Sequence, residues 1–205
     1  MNSSSAINLN LELEDLRKAQ ILQAALIKIS EMGSANVTLD DIAKQAGMSK
    51  GGVAYYYKSK DILCKEAFKE FFVRIFRRSK ETLSACSDPL GKLLSFGWLY
   101  NWDDPEVNLG YPMLMDAMAM AARDAEYRKM FHEWVQVWVS ILGEALSEGI
   151  SKGIFPEMDT DNTARTISSI YHGIAVRWYL DPESHTSEWA VAAFTHSITS
   201  LLKKG

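Results

Sequence analysis

The chain is poor in the residues that mark several protein classes. It has two cysteines in 205 residues, Cys64 and Cys86. Two thiols suffice for one disulfide but not for a disulfide-stapled scaffold, and a chain of this length can bury a core without one. Prolines number five, and Pro105, Pro156 and Pro182 fall where helices are expected to end. Alternating apolar and polar runs are scarce, which argues against sheet. No apolar run reaches the ~18 residues of a membrane-spanning helix. Residues 1–13 are polar, with no basic stretch leading into an apolar one, so no secretion signal is read. The expectation is a cytoplasmic protein with reduced thiols, Cys64 being a small residue buried in an apolar helix. Histidine is also rare: His132, His172, His185 and His196 are scattered, and no HExxH, CxxC, GxSxG or P-loop pattern occurs. His132 and Glu133 are neighbours on a predicted helix and point apart, so they make no metal pair. No enzyme, metal or cofactor is expected.

What is present is helical periodicity. With 47% hydrophobic and 23% charged residues the composition is ordinary for a globular chain. The spacing predicts an all-α fold of about nine helices. Residues 1–13 are expected to form a flexible tail. A first helix is predicted over 14–32, where Ile21, Leu22, Ala25, Leu26 and Ile29 recur at three and four residues before Gly33. Ser59 is placed as the cap of a long helix reaching residue 85. A helix over 88–100, an acidic loop over 102–106 and a methionine-rich helix over 108–122 follow. A break at Arg123 and Asp124 precedes a helix to residue 152. Asp159 is read as the cap of a helix to 179, and a last helix covers 186–202.

Residues 38–61, TLDDIAKQAGMSKGGVAYYYKSKD, carry the densest signals. Thr38 suits an N-cap, since its hydroxyl can accept from an unpaired N–H of the first turn. Leu39, Ile42, Ala43 and Ala46 share one face. Gly47 can take the left-handed backbone that closes a helix, and Ser49 can cap a second short helix to residue 57. This is a helix-turn-helix pattern, whose second helix reads the major groove in DNA-binding proteins. An ordinary helical hairpin would satisfy the same letters. Charge adds to the first reading. Residues 14–82 hold 13 Lys and Arg against 9 Asp and Glu, whereas residues 83–205 hold 9 against 16, within a net charge of −4. Basic charge thus collects where phosphate neutralisation needs it.

The flanking residues strengthen that reading. ILQAALIKISEMG precedes VTLDDIAKQAGMSKGGVAYYYKSKDIL over residues 21–63. The run IL-x-AA with a terminal Gly, the opening Thr, I-A-x-x-A-G, S-x-G, an aromatic run and S-K-D-x-L together resemble the TetR family of transcriptional regulators. The resemblance implies a DNA-binding domain over 14–62 and a helical ligand-binding and dimerisation domain over 63–205. It implies phosphate contacts at Thr38, Tyr56 and Lys60, and base reading by Lys50, Gly51, Gly52 and Tyr55. Where many members carry Tyr, this chain has Ala54, which offers a thymine only a methyl contact and leaves the polar role to Tyr55. Two adjacent glycines weaken the reading helix by roughly 1 kcal/mol each relative to Ala, and close approach to the DNA backbone would account for them.

The later part resembles the family more loosely, over LGEALSEGISKGIFPEMDTDNTARTISSIYHGIAVRWYL, and is similar to a subgroup that includes choline-responsive repressors. The resemblance implies an effector pocket among the middle helices, offering Trp98, Trp102, Tyr111, Met115 and Met118 with Phe131, Trp134 and Trp138. Asp116 would be its carboxylate. Methionine adapts to irregular ligands, and aromatic faces attract organic cations, so the expected effector is hydrophobic and in one version cationic. Each of these residues would serve equally as ordinary core. The last two helices are expected to form a homodimer interface through Ile167, Ile170, Tyr171, Ile174 and Trp178, then Trp189, Phe194 and Ile198. The overall expectation is a ligand-responsive repressor bound to double-stranded operator DNA. The alternative is a helical small-molecule binding or hydrolytic protein that does not bind DNA.

Overall fold

The computed structural model describes residues 3–203, with side chains from residue 12 onward. Among the described residues there are nine α-helices and one 3₁₀ segment, and no strand. The helices are α1 (Ser3–Met32), α2 (Leu39–Gln45), α3 (Lys50–Tyr56), α4 (Lys60–Ser84), α5 (Pro89–Leu94), α6 (Pro105–Ala121), α7 (Ala125–Ser151), α8 (Thr160–Leu180) and α9 (Ser187–Lys203), with the 3₁₀ segment (Ser95–Tyr100) between α5 and α6. The chain forms two compact units. One comprises the residues up to Phe72 together with Leu109–Tyr127; the other comprises Val73–Asn108 together with the residues from Arg128 onward.

The first unit is built around α1. Ile21, Ala25, Leu26 and Ile29 are buried, as are Val37, Ile42, Ala43, Val53, Leu63 and Phe68. The helices α2 and α3 are seven residues each, too short to persist without packing and caps. Gly47, at φ +64°, closes α2 in a Schellman arrangement: Met48 N donates to Ala43 O (2.9 Å) and Gly47 N to Lys44 O (3.1 Å). The α6 residues Tyr111, Met113, Leu114 and Ala117 are buried as well.

The second unit has an aromatic core. Phe96 lies 4.9 Å from Trp138 and 5.5 Å from Tyr171, centroid to centroid. Tyr100 stacks on Phe194 at 5.6 Å and meets Trp178 edge-on at 5.8 Å. Buried phenols need partners. The Tyr171 hydroxyl donates to Leu93 O (2.6 Å) and the Tyr100 hydroxyl to Tyr171 O (3.1 Å). Burial raises the Tyr171 phenol well above its ordinary pKa.

Most elements fall where the spacing places them, with three differences. Helix α1 begins at Ser3, so the segment expected as a flexible tail is largely helical. The helix expected over 88–100 breaks after Leu94 into 3₁₀ winding, with Phe96 at φ −86°, ψ +22°. Ser95 turns its hydroxyl back onto Lys92 O (2.8 Å), a local bond that loosens a helix, and Gly97 follows. Helix α6 starts at Pro105, inside the expected acidic loop. Proline at the first helical position needs no N–H, and Asp104 caps the turn by accepting from Glu106 N (2.9 Å). The break at Arg123 and Asp124 is present, with Asp124 capping α7 through Glu126 N (2.8 Å) and Tyr127 N (3.2 Å).

Two glycines of α7 give a paired test. A Cβ at Gly149 would lie 2.1 Å from Phe155 Cδ2, whereas one at Gly143 would touch only Ala164 Cβ at 4.0 Å. Gly149→Ala should lower the stability by about 1–2 kcal/mol, overpacking outweighing the gain in helix propensity. Gly143→Ala should be neutral or stabilising. Urea midpoints at unchanged m-value report both.

Candidate DNA interface and effector site

Thr38 caps α2 as the sequence predicts, within a full capping box. Its hydroxyl accepts from Asp41 N (3.2 Å) and donates to Asp41 Oδ2 (2.6 Å), which also accepts from Thr38 N (3.0 Å). These bonds, the hydroxyl's first, hold the Asp41 carboxyl below its usual range. Ser49 caps α3 by accepting from Gly52 N (3.0 Å). A side chain from α1 finishes the frame: Gln20 Nε2 donates to Ala46 O at the end of α2 (2.6 Å).

With that frame set, α3 buries only Val53 and presents the rest. Lys50 and Gly51 are exposed, Gly52, Ala54 and Tyr56 half-buried, and Tyr55 is 70% exposed. The Tyr55 and Tyr56 rings meet edge-on at 5.0 Å, which fixes the outer ring's pose. Lys50 Nζ lies 3.3 Å from Asp40 Oδ2, both exposed, so this pair is cheap to exchange for a phosphate. Lys60 Nζ donates to Ala35 O (2.9 Å), which occupies one of its three donors. Lys58 is not marked by the motif, yet it is exposed just past α3, its Nζ 5.9 Å from the Tyr55 ring centroid. Its position close to Tyr55 in the chain is the signal that could have found it.

The residues expected to line an effector pocket belong to both units. In the second unit, Phe131, Trp134 and Trp138 lie along one side of α7 at spacings of three and four. Phe131 and Trp134 are 5.4 Å apart, and Trp134 and Trp138 6.5 Å. His172 of α8 joins them, edge-on to Trp134 at 5.0 Å and to Trp138 at 6.2 Å. A lone histidine on an apolar stripe carries no spacing signal, so the sequence does not mark it for this site. Trp98 stands apart from this wall in its contacts. The Arg78 guanidinium covers its face at 3.9 Å and is itself gripped by Asp104 and by Glu106 (2.8 Å). That ring's cation site is therefore filled by the protein's own arginine. Trp102 stacks on Trp178 at 4.2 Å and on Tyr179 at 5.7 Å, and is exposed.

In the first unit, Tyr111 is buried, Met115 half-buried and Met118 exposed. Burial raises the Tyr111 phenol far above its ordinary value. The Asp116 carboxylate braces the turn between α1 and α2, where its Oδ2 accepts from Ser34 N (2.7 Å).

Most of the expected dimer residues lie inside the protomer. Ile167, Tyr171, Trp178, Phe194 and Ile198 are buried inside the protomer, where α8 and α9 pack on each other, on α5 and on the 3₁₀ segment. An apolar stripe says that a face is covered, not by what, and here the protomer's own core covers it. Ile170 and Ile174 are half-buried and Trp189 is exposed, edge-on to His185 at 4.5 Å. Two shallow grooves open on these helices. One is lined by Gly173, Val176, Arg177 and Leu180, the other by Val191, Ala192, Thr195 and Thr199.

Two short capped helices joined by a tight turn, the second exposing Lys50, Gly51 and Tyr55, make a helix-turn-helix. Residues 21–67 match the model of bacterial regulatory proteins of the tetR family, and residues 112–203 match that of the BetI-type transcriptional repressor, C-terminal. The chain belongs to the TetR family. An HTH-type transcriptional regulator BetI from Stenotrophomonas maltophilia is 35% identical over 103 residues, an alignment spanning 47% of this chain and about half (49%) of that relative. A BetI regulator from Serratia proteamaculans is 23% identical over 93% of this chain and 95% of its own length. Among solved structures, a transcriptional regulator from Saccharomonospora viridis, determined in complex with choline, superposes with a TM-score of 0.77 at 18% identity, covering 92% of this chain and 96% of that one. Among the described residues no helix is long and apolar enough to cross a membrane.

The glycines of α3 separate packing from recognition. A Cβ at Gly51 would meet nothing closer than Ser49 Oγ at 4.0 Å, but one at Gly52 would crowd that oxygen at 3.3 Å and Met48 Cε at 3.4 Å. Gly51→Ala should raise stability by about 0.5–1 kcal/mol in thermal or urea unfolding, through helix propensity alone. The same substitution should weaken DNA binding in a gel-shift titration, because the new methyl group lies on the exposed side of α3.

Proposed function

We propose that the protein is a homodimeric repressor that works in the cytoplasm, binds a pseudo-palindromic operator and is released by a small organic effector. The exposed face of α3 carries the DNA part of this reading: only Val53 turns inward, and Lys50, Tyr55 and the neighbouring Lys58 turn outward. Thr38, Tyr56 and Lys60 supply phosphate contacts that set register, and Lys50 with Tyr55 reads base edges. Two recognition helices in successive major grooves require half-sites about 34–36 Å apart, or a multiple of that. The effector part rests on the wall of Phe131, Trp134 and Trp138, whose faces suit an onium ion, and on the choline complex of the Saccharomonospora viridis regulator. Effector binding lowers operator affinity only if it favours one conformation over the other. The continuous helix α4, which runs from the recognition helix's junction at Lys60 to Ser84, is the element to carry that bias. The dimer forms through the outward grooves of α8 and α9, where Gly173, Ala192, Thr195 and Thr199 allow helices to approach closely.

Selection of bound DNA from a random pool should return a two-fold symmetric site. Lys60→Ala should weaken all sequences alike and reduce the slope of log affinity against log salt by about 1, whereas Tyr55→Ala should also relax sequence preference. A salt-insensitive or absent interaction would favour a binding protein without DNA function. Gly173→Arg, which places a charged side chain in the open groove of α8, should shift sedimentation toward the monomer and abolish tight operator binding. A Gly173→Arg protein that stays dimeric would place the interface elsewhere.

A further inference from the structure

We propose that His172 is the specificity-determining residue of the effector site, selecting molecules that bring a hydrogen-bond donor to the wall of Phe131, Trp134 and Trp138. The inference rests on the proposed reading of that wall as the effector site and adds the chemistry required there.

A neutral imidazole has one nitrogen that donates and one that accepts. His172 Nδ1 lies 2.8 Å from the Ser168 carbonyl oxygen, a group that can only accept. The proton therefore sits on Nδ1, and Nε2 carries the lone pair. The Ser168 hydroxyl, 3.4 Å away, approaches the same Nδ1, and among the described residues no hydrogen bond reaches Nε2. The ring is kept neutral by its surroundings: burial lowers its pKa, and the Ser168 bond opposes this only in part. Trp134 and Trp138 from α7 and Ser168 on its own helix lie against it, and no charged neighbour among the described residues contributes to its titration. Trp134 and Trp138 are buried, while the His172 ring retains partial exposure. Among Phe131, Trp134, Trp138 and His172, only the imidazole offers a hydrogen-bond acceptor.

A ligand that covers Nε2 without a donor strips it of water and gives nothing back. One that carries a hydroxyl or N–H satisfies it. Sites with a buried acceptor reject the donor-less analogue for this reason, with a preference of about tenfold or more. A bare onium ion is thus a poor effector, and an onium or neutral alcohol of similar shape is a good one.

Tryptophan fluorescence titration tests this at pH 7.5 with two matched pairs. Choline is compared with propyltrimethylammonium, and 3,3-dimethyl-1-butanol with its methyl ether. The wild-type protein should favour the hydroxyl-bearing member of each pair by at least about tenfold. His172→Phe, which keeps an aromatic ring and loses the acceptor, should bind both members of a pair alike. In the wild type, choline affinity should also fall as pH drops through the histidine's pKa, which lies below 6.5. There Nε2 gains a proton, ceases to accept and repels the cation; His172→Phe should show no such fall. If neither onium binds but the alcohol outcompetes its ether, the cationic reading of the effector fails and the role of His172 stands. Equal binding of both members to the wild type, retention of the preference in His172→Phe, or binding by neither pair overturns it. The wild-type ratios decide the matter even if the variant folds poorly.

Discussion

The helix-turn-helix depends on one constraint: α2 and α3 are seven residues long, so nearly half of their backbone groups have no partner within the helix. Every such group must be satisfied from outside or lost to water. Thr38 and Asp41 do this at the start of α2, Gly47 and the Gln20 amide at its end, and Ser49 at the start of α3. The caps orient the chain as well as satisfying it. With both ends of α2 fixed and Val53 anchored in the core, α3 has one orientation in which Tyr55 can point outward. A seven-residue helix containing Gly51 and Gly52 would otherwise be weakly held.

The same constraint explains what the sequence could reveal. Caps, the left-handed glycine and the apolar stripe of α1 are local or near-local features, so residues 14–61 were legible almost residue by residue. The caps at Ser59 and Asp159 were legible for the same reason: Ile62 N and Asn162 N donate to them. The 3₁₀ winding at Ser95 was not legible, because burying Phe96 and Tyr100 among Trp138, Tyr171 and Phe194 is a choice made by partners far along the chain.

The residues expected at an effector site and a dimer interface show the same limit more sharply. Periodicity picks out Tyr171, Trp178, Phe194 and Ile198 as residues that must be covered, and they are covered, within the protomer. The outward grooves mix apolar residues such as Val176, Leu180 and Val191 with small and polar ones such as Gly173, Thr195 and Thr199, a mixture that periodicity does not single out. In the aromatic wall, Phe131, Trp134 and Trp138 could be read from one helix, but His172 enters from another and is defined by a backbone carbonyl at Ser168. Trp98 looked equivalent to its neighbours in sequence, yet Arg78 covers it. Residue type and spacing do not show which aromatic faces are free.

The bond from Ser34 N to Asp116 bears on what can be called a module. The turn that leads into Thr38 takes a hydrogen-bond acceptor from 82 positions further along the chain, and the buried Ser34 N–H has that carboxylate as its partner. The helix-turn-helix is therefore not a cassette that carries all of its own supports. Its boundary in the folded protein runs through α6, and a fragment cut where the motif ends would leave an amide stranded. Inheritance follows the same line: exchanging this head between relatives means carrying a matched carboxylate with it.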